Sequence, residues 1–142
     1  MSEVQIYELL NSSFTANGLF QIAVLIGVFI AFRAARFSQG SSIFPKVMST
    51  AFGLMTVFFV MAVGANRYFS QEVAAIRLAD AKAAGAQLSA GSEAWIAQFN
   101  ATAGSVATQN YLADPGTVAF SAIVAIIVLG ITWGPKINFG SD

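Results

Sequence analysis

The chain contains no cysteine and no histidine. Without cysteine there is no disulfide, no thiolate nucleophile, no iron–sulfur cluster and no cysteine–zinc site. Without histidine, imidazole ligation of haem, chlorophyll or a metal is excluded, together with histidine-based acid–base catalysis. Charge is scarce as well. Asp, Glu, Lys and Arg make up 10% of the 142 residues, against about 25% in an ordinary soluble domain. A water-soluble fold of this size covers its surface with charge, so the composition points to an integral membrane protein. Seven basic and seven acidic residues cancel, and nothing marks a nucleic-acid partner.

What is present is apolar: 56% of the residues are hydrophobic and 13 are Phe. A membrane-crossing helix needs about 20 apolar residues. Four stretches lack Asp, Glu, Lys and Arg: residues 9–32, 47–66, 94–113 and 115–135. The third fails on polarity, because it holds Gln98, Asn100, Thr102, Ser105, Thr108, Gln109 and Asn110. The other three predict spans at about 18–37, 46–66 and 117–133. Arg33 and Arg36 end the first, Pro45 suits the first turn of the second, and Trp133 ends the third before Gly134-Pro135.

Residues 1–17 read as an interfacial amphipathic segment, with Ser2 as cap, Gln5 as its partner three residues on, and Val4, Tyr7 and Leu10 on one side. The loop after the first span carries Arg33, Arg36 and Lys46 and no acid. By the positive-inside rule that loop is cytoplasmic. The N-terminus and residues 67–116 then fall outside and the C-terminus inside, where Lys136 agrees.

Residues 67–116 are too long for a structureless loop. Phe69, Val73, Ile76, Asp80, Ala83 and Gln87 step by four and three, as do Ile96, Phe99, Ala103, Val106 and Asn110. The expectation is an antiparallel hairpin of helices 67–88 and 92–113, capped by Ser92, each about 33 Å long. No breaker separates Asn66 from Arg67, so the second span is expected to run on into the first hairpin helix. The fold class is thus all-α: three transmembrane helices (18–66 and 117–142) with a long extramembrane antiparallel helical hairpin (67–116) between the second and third.

Small residues repeat along the spans: Ala23, Gly27, Ala31 and Ala35 in the first, Ser49 and Gly53 in the second, Gly130 and Gly134 in the third. Such spacing lets helix backbones approach closely in lipid. It serves either an interface between subunits or contacts among the chain's own spans. No ionisable group lies in the core of any span, which argues against a proton pump, an ion-coupled carrier or a retinal Schiff base. Glu72, Asp80, Glu93 and Asp114 share no face and read as solvated surface rather than a catalytic pair. The hairpin seam is alanine-rich and buries little area, so partner contact is expected through Phe69, Val73, Ile76, Trp95, Ile96, Phe99 and Val106.

The leading expectation is a non-catalytic structural or accessory subunit that binds no cofactor and no metal. It would pack laterally among membrane lipids and other membrane or shell proteins and self-associate. Its setting would be a multi-protein membrane complex or the membrane scaffold of a lipid-containing virion. The rival is a homo-oligomeric channel or pore gated by apolar side chains.

Overall fold

A computed structural model describes residues 1–135. Four helices follow in order: α1 (Glu3–Ser38), α2 (Ile43–Ala83), α3 (Ala90–Gln98) and α4 (Pro115–Trp133). The described residues contain no strand. Three helices (α1, α2 and α4) are long and apolar enough to cross a membrane. Lys136 and the tail after it lie outside the described residues.

The capping box forms at the start of α1. Gln5 N–H donates to Ser2 Oγ at 3.3 Å, and Ser2 N–H donates back to Gln5 Oε1 at 2.9 Å. In place of an interfacial segment followed by a separate span, α1 is one helix of 36 residues. The poor helix formers at 11–17 do not stop it. Thr15 turns its hydroxyl back onto the Asn11 carbonyl at 3.0 Å, and Asn17 is buried and meets Asn66 Nδ2 at 3.4 Å. The helix α2 runs unbroken through Asn66 and Arg67 for 41 residues, about 62 Å. It ends at Ala83, and Gly85 just past it takes the left-handed φ of +90° that glycine adopts without strain.

The second hairpin helix is the main correction. Residues 92–113 do not form one helix; α3 is nine residues long and is capped by Ser89, not Ser92. Ser92 N–H donates to Ser89 Oγ at 3.3 Å. The reason for the early stop is local. Asn100 takes φ +48° and Gly104 takes φ +76°, both left-handed, and Thr102, Ser105, Val106 and Thr108 are weak helix formers. From residue 101 to Asp114 the backbone is non-helical. Asp114 then caps α4, accepting from Gly116 N–H at 3.0 Å and from Thr117 Oγ1 at 2.6 Å, with Pro115 in the first turn.

The chain forms two compact units, Met1–Leu19 with Gly64–Ala113 and Phe20–Val63 with Asp114–Asp142. The first unit has a core of Ile6, Leu10, Ala74, Leu78 and Ala81, with Tyr7, Phe14, Leu88, Trp95 and Ile96 against it. The buried side of α1 is therefore Ile6 and Leu10, while Val4 is exposed. Burying Ile6, Leu10 and Leu78 contributes roughly 1.5–3 kcal/mol each. The second unit has a core of Val28, Ala31, Ala35, Val60, Val124 and Val128. Its large side chains point the other way: Phe20, Ile26, Phe29, Met55, Phe58 and Ile126 are all exposed.

Candidate functional site

In the first unit three carboxylates hold the non-helical segments, and each does so by accepting from neutral donors. Glu3, in the first turn of α1, accepts from Ser89 Oγ at 2.5 Å, Ser92 Oγ at 2.6 Å and Ser89 N–H at 3.1 Å. Tyr7 OH lies 2.8 Å from Ser92 Oγ. Since the Ser92 hydrogen goes to Glu3, the Tyr7 hydroxyl is the donor of that pair. Glu3 precedes the apolar segment 18–37 and lies outside it. The two serine hydroxyls, followed by the Ser89 amide, hold its carboxyl below the usual carboxylate range. A carboxylate so stabilised is a weak base, and the Ser92 hydroxyl beside it is fully buried. The arrangement is a clasp between the start of α1 and the start of α3.

The other two carboxylates come from α2. Gly104 N–H donates to Asp80 Oδ1 at 2.8 Å, and Thr108 N–H donates to Glu72 Oε2 at 3.4 Å. From Asp80 to Glu72 the helix covers about 12 Å. Four extended residues cover about 13 Å. Residues 104–108 are thus a non-helical strap that runs antiparallel to α2 and is tied to it at Gly104 and Thr108. The sequence reading that left Glu72 and Asp80 as solvated surface missed this role. Their spacing of eight residues leaves them about 80° apart around α2, so it gave no signal of a shared role.

Aromatic rings line α3. Tyr7 meets Trp95 edge-on at 6.1 Å, Trp95 stacks on Phe99 at 6.2 Å, and Phe99 tilts against Tyr68 at 5.4 Å. The indole N–H of Trp95 donates to the Gln71 carbonyl at 3.4 Å. Between α1 and α2 lies a groove of about 270 Å³, with Ile6, Leu10, Phe69 and Val73 on its walls, Ser13 and Arg77 on its rim.

The residues proposed for partner contact therefore divide. Ile76 is buried; Trp95, Ile96 and Phe99 are half-buried within the unit; Phe69 and Val73 flank the groove. Val106, on the strap, is 84% exposed, and Leu112 beyond it is 67% exposed. Leu112 was not singled out in the sequence.

The small-residue positions of the second unit divide too. Ala31 and Ala35 are fully buried in its core. Gly27 lies against Thr56, where an added Cβ would be 3.5 Å from Cγ2. Ser49 is buried, and Gly53 abuts Val128 so closely that a Cβ there would run into its side chain. Ala23 and Gly130 face outward, Gly130 with open space around it. Gly134 caps α4, its N–H donating to the Gly130 carbonyl at 2.9 Å. At that end Trp133 Nε1 donates to Thr50 Oγ1 at 2.8 Å, with the Lys46 ammonium 5.6 Å above the indole ring.

Among the described residues no group of three Asp or Glu is placed to hold a metal ion. Comparison with protein-family models, with curated proteins and with solved structures gives no match.

Proposed function

We propose that the chain is a structural or accessory subunit of a larger membrane assembly, crossing the bilayer three times. The observation that carries the membrane part is the inverted second unit, with valine and alanine inside and Phe20, Ile26, Phe29, Phe58 and Ile126 outside. Such a surface is stable only when lipid or other apolar helices cover it. The first unit is then the part that meets a partner. Its strap is held by backbone N–H bonds to Asp80 and Glu72 and presents Val106 outward, with Leu112 exposed beyond it. Side chains displayed on a pinned backbone lose little entropy on docking. In this reading residues 67–116 and the N-terminus are external and the C-terminus is cytoplasmic, following the bases Arg33, Arg36 and Lys46. The outward Ala23 and Gly130 are free for lateral contacts with neighbouring helices.

The test is extraction from the native membrane in mild detergent, followed by mass measurement of the intact particle. Other proteins in the particle, lost when Val106 and Leu112 are both changed to Ser, would support the reading. A particle built only from copies of this chain would overturn the accessory role and bring forward a homo-oligomeric pore, for which conductance is the next assay.

A further inference from the structure

The bases of the second unit gather at one end. Arg33 and Arg36 lie near the close of α1, and Lys46 lies near the start of α2. None of the six acids among the described residues belongs to that end of α1 or α2. Glu3, Glu8, Glu72, Asp80 and Glu93 belong to the first unit. Asp114 caps the far end of α4 from Trp133, and Asp142 is outside the described residues.

Arg33 sits on the side of α1 turned away from Ala31 and Ala35, and it is exposed. Its guanidinium lies between two rings one turn away on either side, 5.9 Å from Phe29 and 5.6 Å from Phe37. Beyond Arg33, at the same end, come Phe37, Ile43 and Phe44, each more than 70% exposed. A bilayer that covers these three side chains has its boundary past Arg33. The guanidinium is then at or just inside the headgroup layer, where an unpaired charge is costly. The ring faces stabilise it only in part. The anion within reach at that depth is the phosphodiester of a lipid, which a guanidinium grips with two parallel hydrogen bonds.

We infer that Arg33, on the outward side of α1, holds the phosphodiester of an anionic phospholipid, with Arg36 adding positive charge one turn further on. Phe29 and Phe37 fix the Arg33 guanidinium and contact the acyl chains beside it. Lys46, seated over Trp133, adds positive field at the same end and favours a net-negative headgroup over a zwitterionic one. The inference rests on the membrane-crossing part of the proposed function and not on the partner reading.

The test is native mass spectrometry of the full chain in detergent, titrated with phosphatidylglycerol or phosphatidylcholine. The wild type should retain phosphatidylglycerol in preference. The pair Arg33→Gln and Arg36→Gln should weaken that retention about thirtyfold, about fivefold for each base. The pair Arg33→Lys and Arg36→Lys should keep most of it, and Arg67→Gln in the first unit should change nothing. Inorganic phosphate at millimolar level should not displace the lipid; displacement would mark a site for free phosphate instead and overturn the lipid assignment. Equal retention of both lipids by the wild type, a result needing no variant, would overturn it as well, as would full retention by the glutamine pair. Carbonate extraction separates the two readings. A chain released from membranes refutes the spans themselves, while a chain that stays without lipid preference refutes this site alone.

Discussion

Gly53→Ala probes the closest helix approach in the second unit. The new Cβ would lie 3.3 Å from Val128 Cβ and Cγ2 and would overlap Cγ1. Val128 is fully buried, and a valine in a helix has one strongly preferred rotamer, so α4 has to shift. Overpacking of this kind costs about 1–3 kcal/mol. Alanine at an interior helix position recovers about 1 kcal/mol relative to glycine. The net expectation is a loss of about 0–2 kcal/mol. Val128→Ala alone should also cost about 1–2 kcal/mol, since packed contacts are lost without repacking. Together the two changes should be much less harmful than their sum, with a coupling of about 1 kcal/mol or more. The assay is reversible unfolding of all four species in detergent micelles, by titration with a denaturing detergent and circular dichroism. A Gly53→Ala that stabilises by about the full 1 kcal/mol of helix propensity, or strict additivity with Val128→Ala, would refute the close approach of α2 and α4 at this point.

Glu3 gives a pH prediction. Its folded pKa is lowered by Ser89 and Ser92, so its stabilisation is present above the unfolded carboxylate pKa and disappears as pH falls through the lower folded value. The hydrogen-exchange protection factors at residues 89–95 should fall on acidification in the wild type and be low at every pH in Glu3→Gln; unchanged protection factors at pH 3 would count against the clasp. Ser89→Ala removes the cap of α3 and one clasp donor, and should lower the stability of the first unit by about 1 kcal/mol or more. Asp80→Asn with Glu72→Gln should free the strap, read as faster limited proteolysis within 104–112 but not within α2; an unaltered cleavage pattern would show that the two carboxylates do not pin it. Ser42→Cys should be labelled by an impermeant thiol reagent only from the cytoplasmic side and Ala86→Cys only from outside; the reverse pattern inverts the proposed topology.

The three apolar helices and most of their ends were legible because each signal is local and strong. The Ser2–Gln5 box, Pro45, Asp114-Pro115 and Gly134 mark ends in one dimension, and the lack of a breaker at 66–67 foretold the length of α2. The stop after Gln98 was obscured by a periodic Ile96, Phe99, Ala103, Val106 pattern. That spacing fits a helix, yet Asn100 and Gly104 take left-handed conformations that the carboxylate of Asp80 helps to hold. The clasp was beyond sequence reasoning for a different reason. Glu3 and Ser89 are 86 residues apart, and no spacing rule connects a first-turn acid with a distant cap. The residues expected to meet a partner divide for the same reason. Ile76, Trp95, Ile96 and Phe99 turn into the unit, while Val106 at the middle of the strap is exposed.

The distance between Glu3 and Ser89 also sets an order on synthesis. At about 5–20 residues per second, the carboxylate waits on the order of ten seconds after it is made before its serines exist. During that time Ile6 and Leu10 have no Leu78 to cover them, and most of α1 and α2 has already emerged. When Ser92 follows, α4 has not yet been translated. The first unit therefore has its full complement of partners before the last apolar helix begins, so its assembly requires nothing from α4.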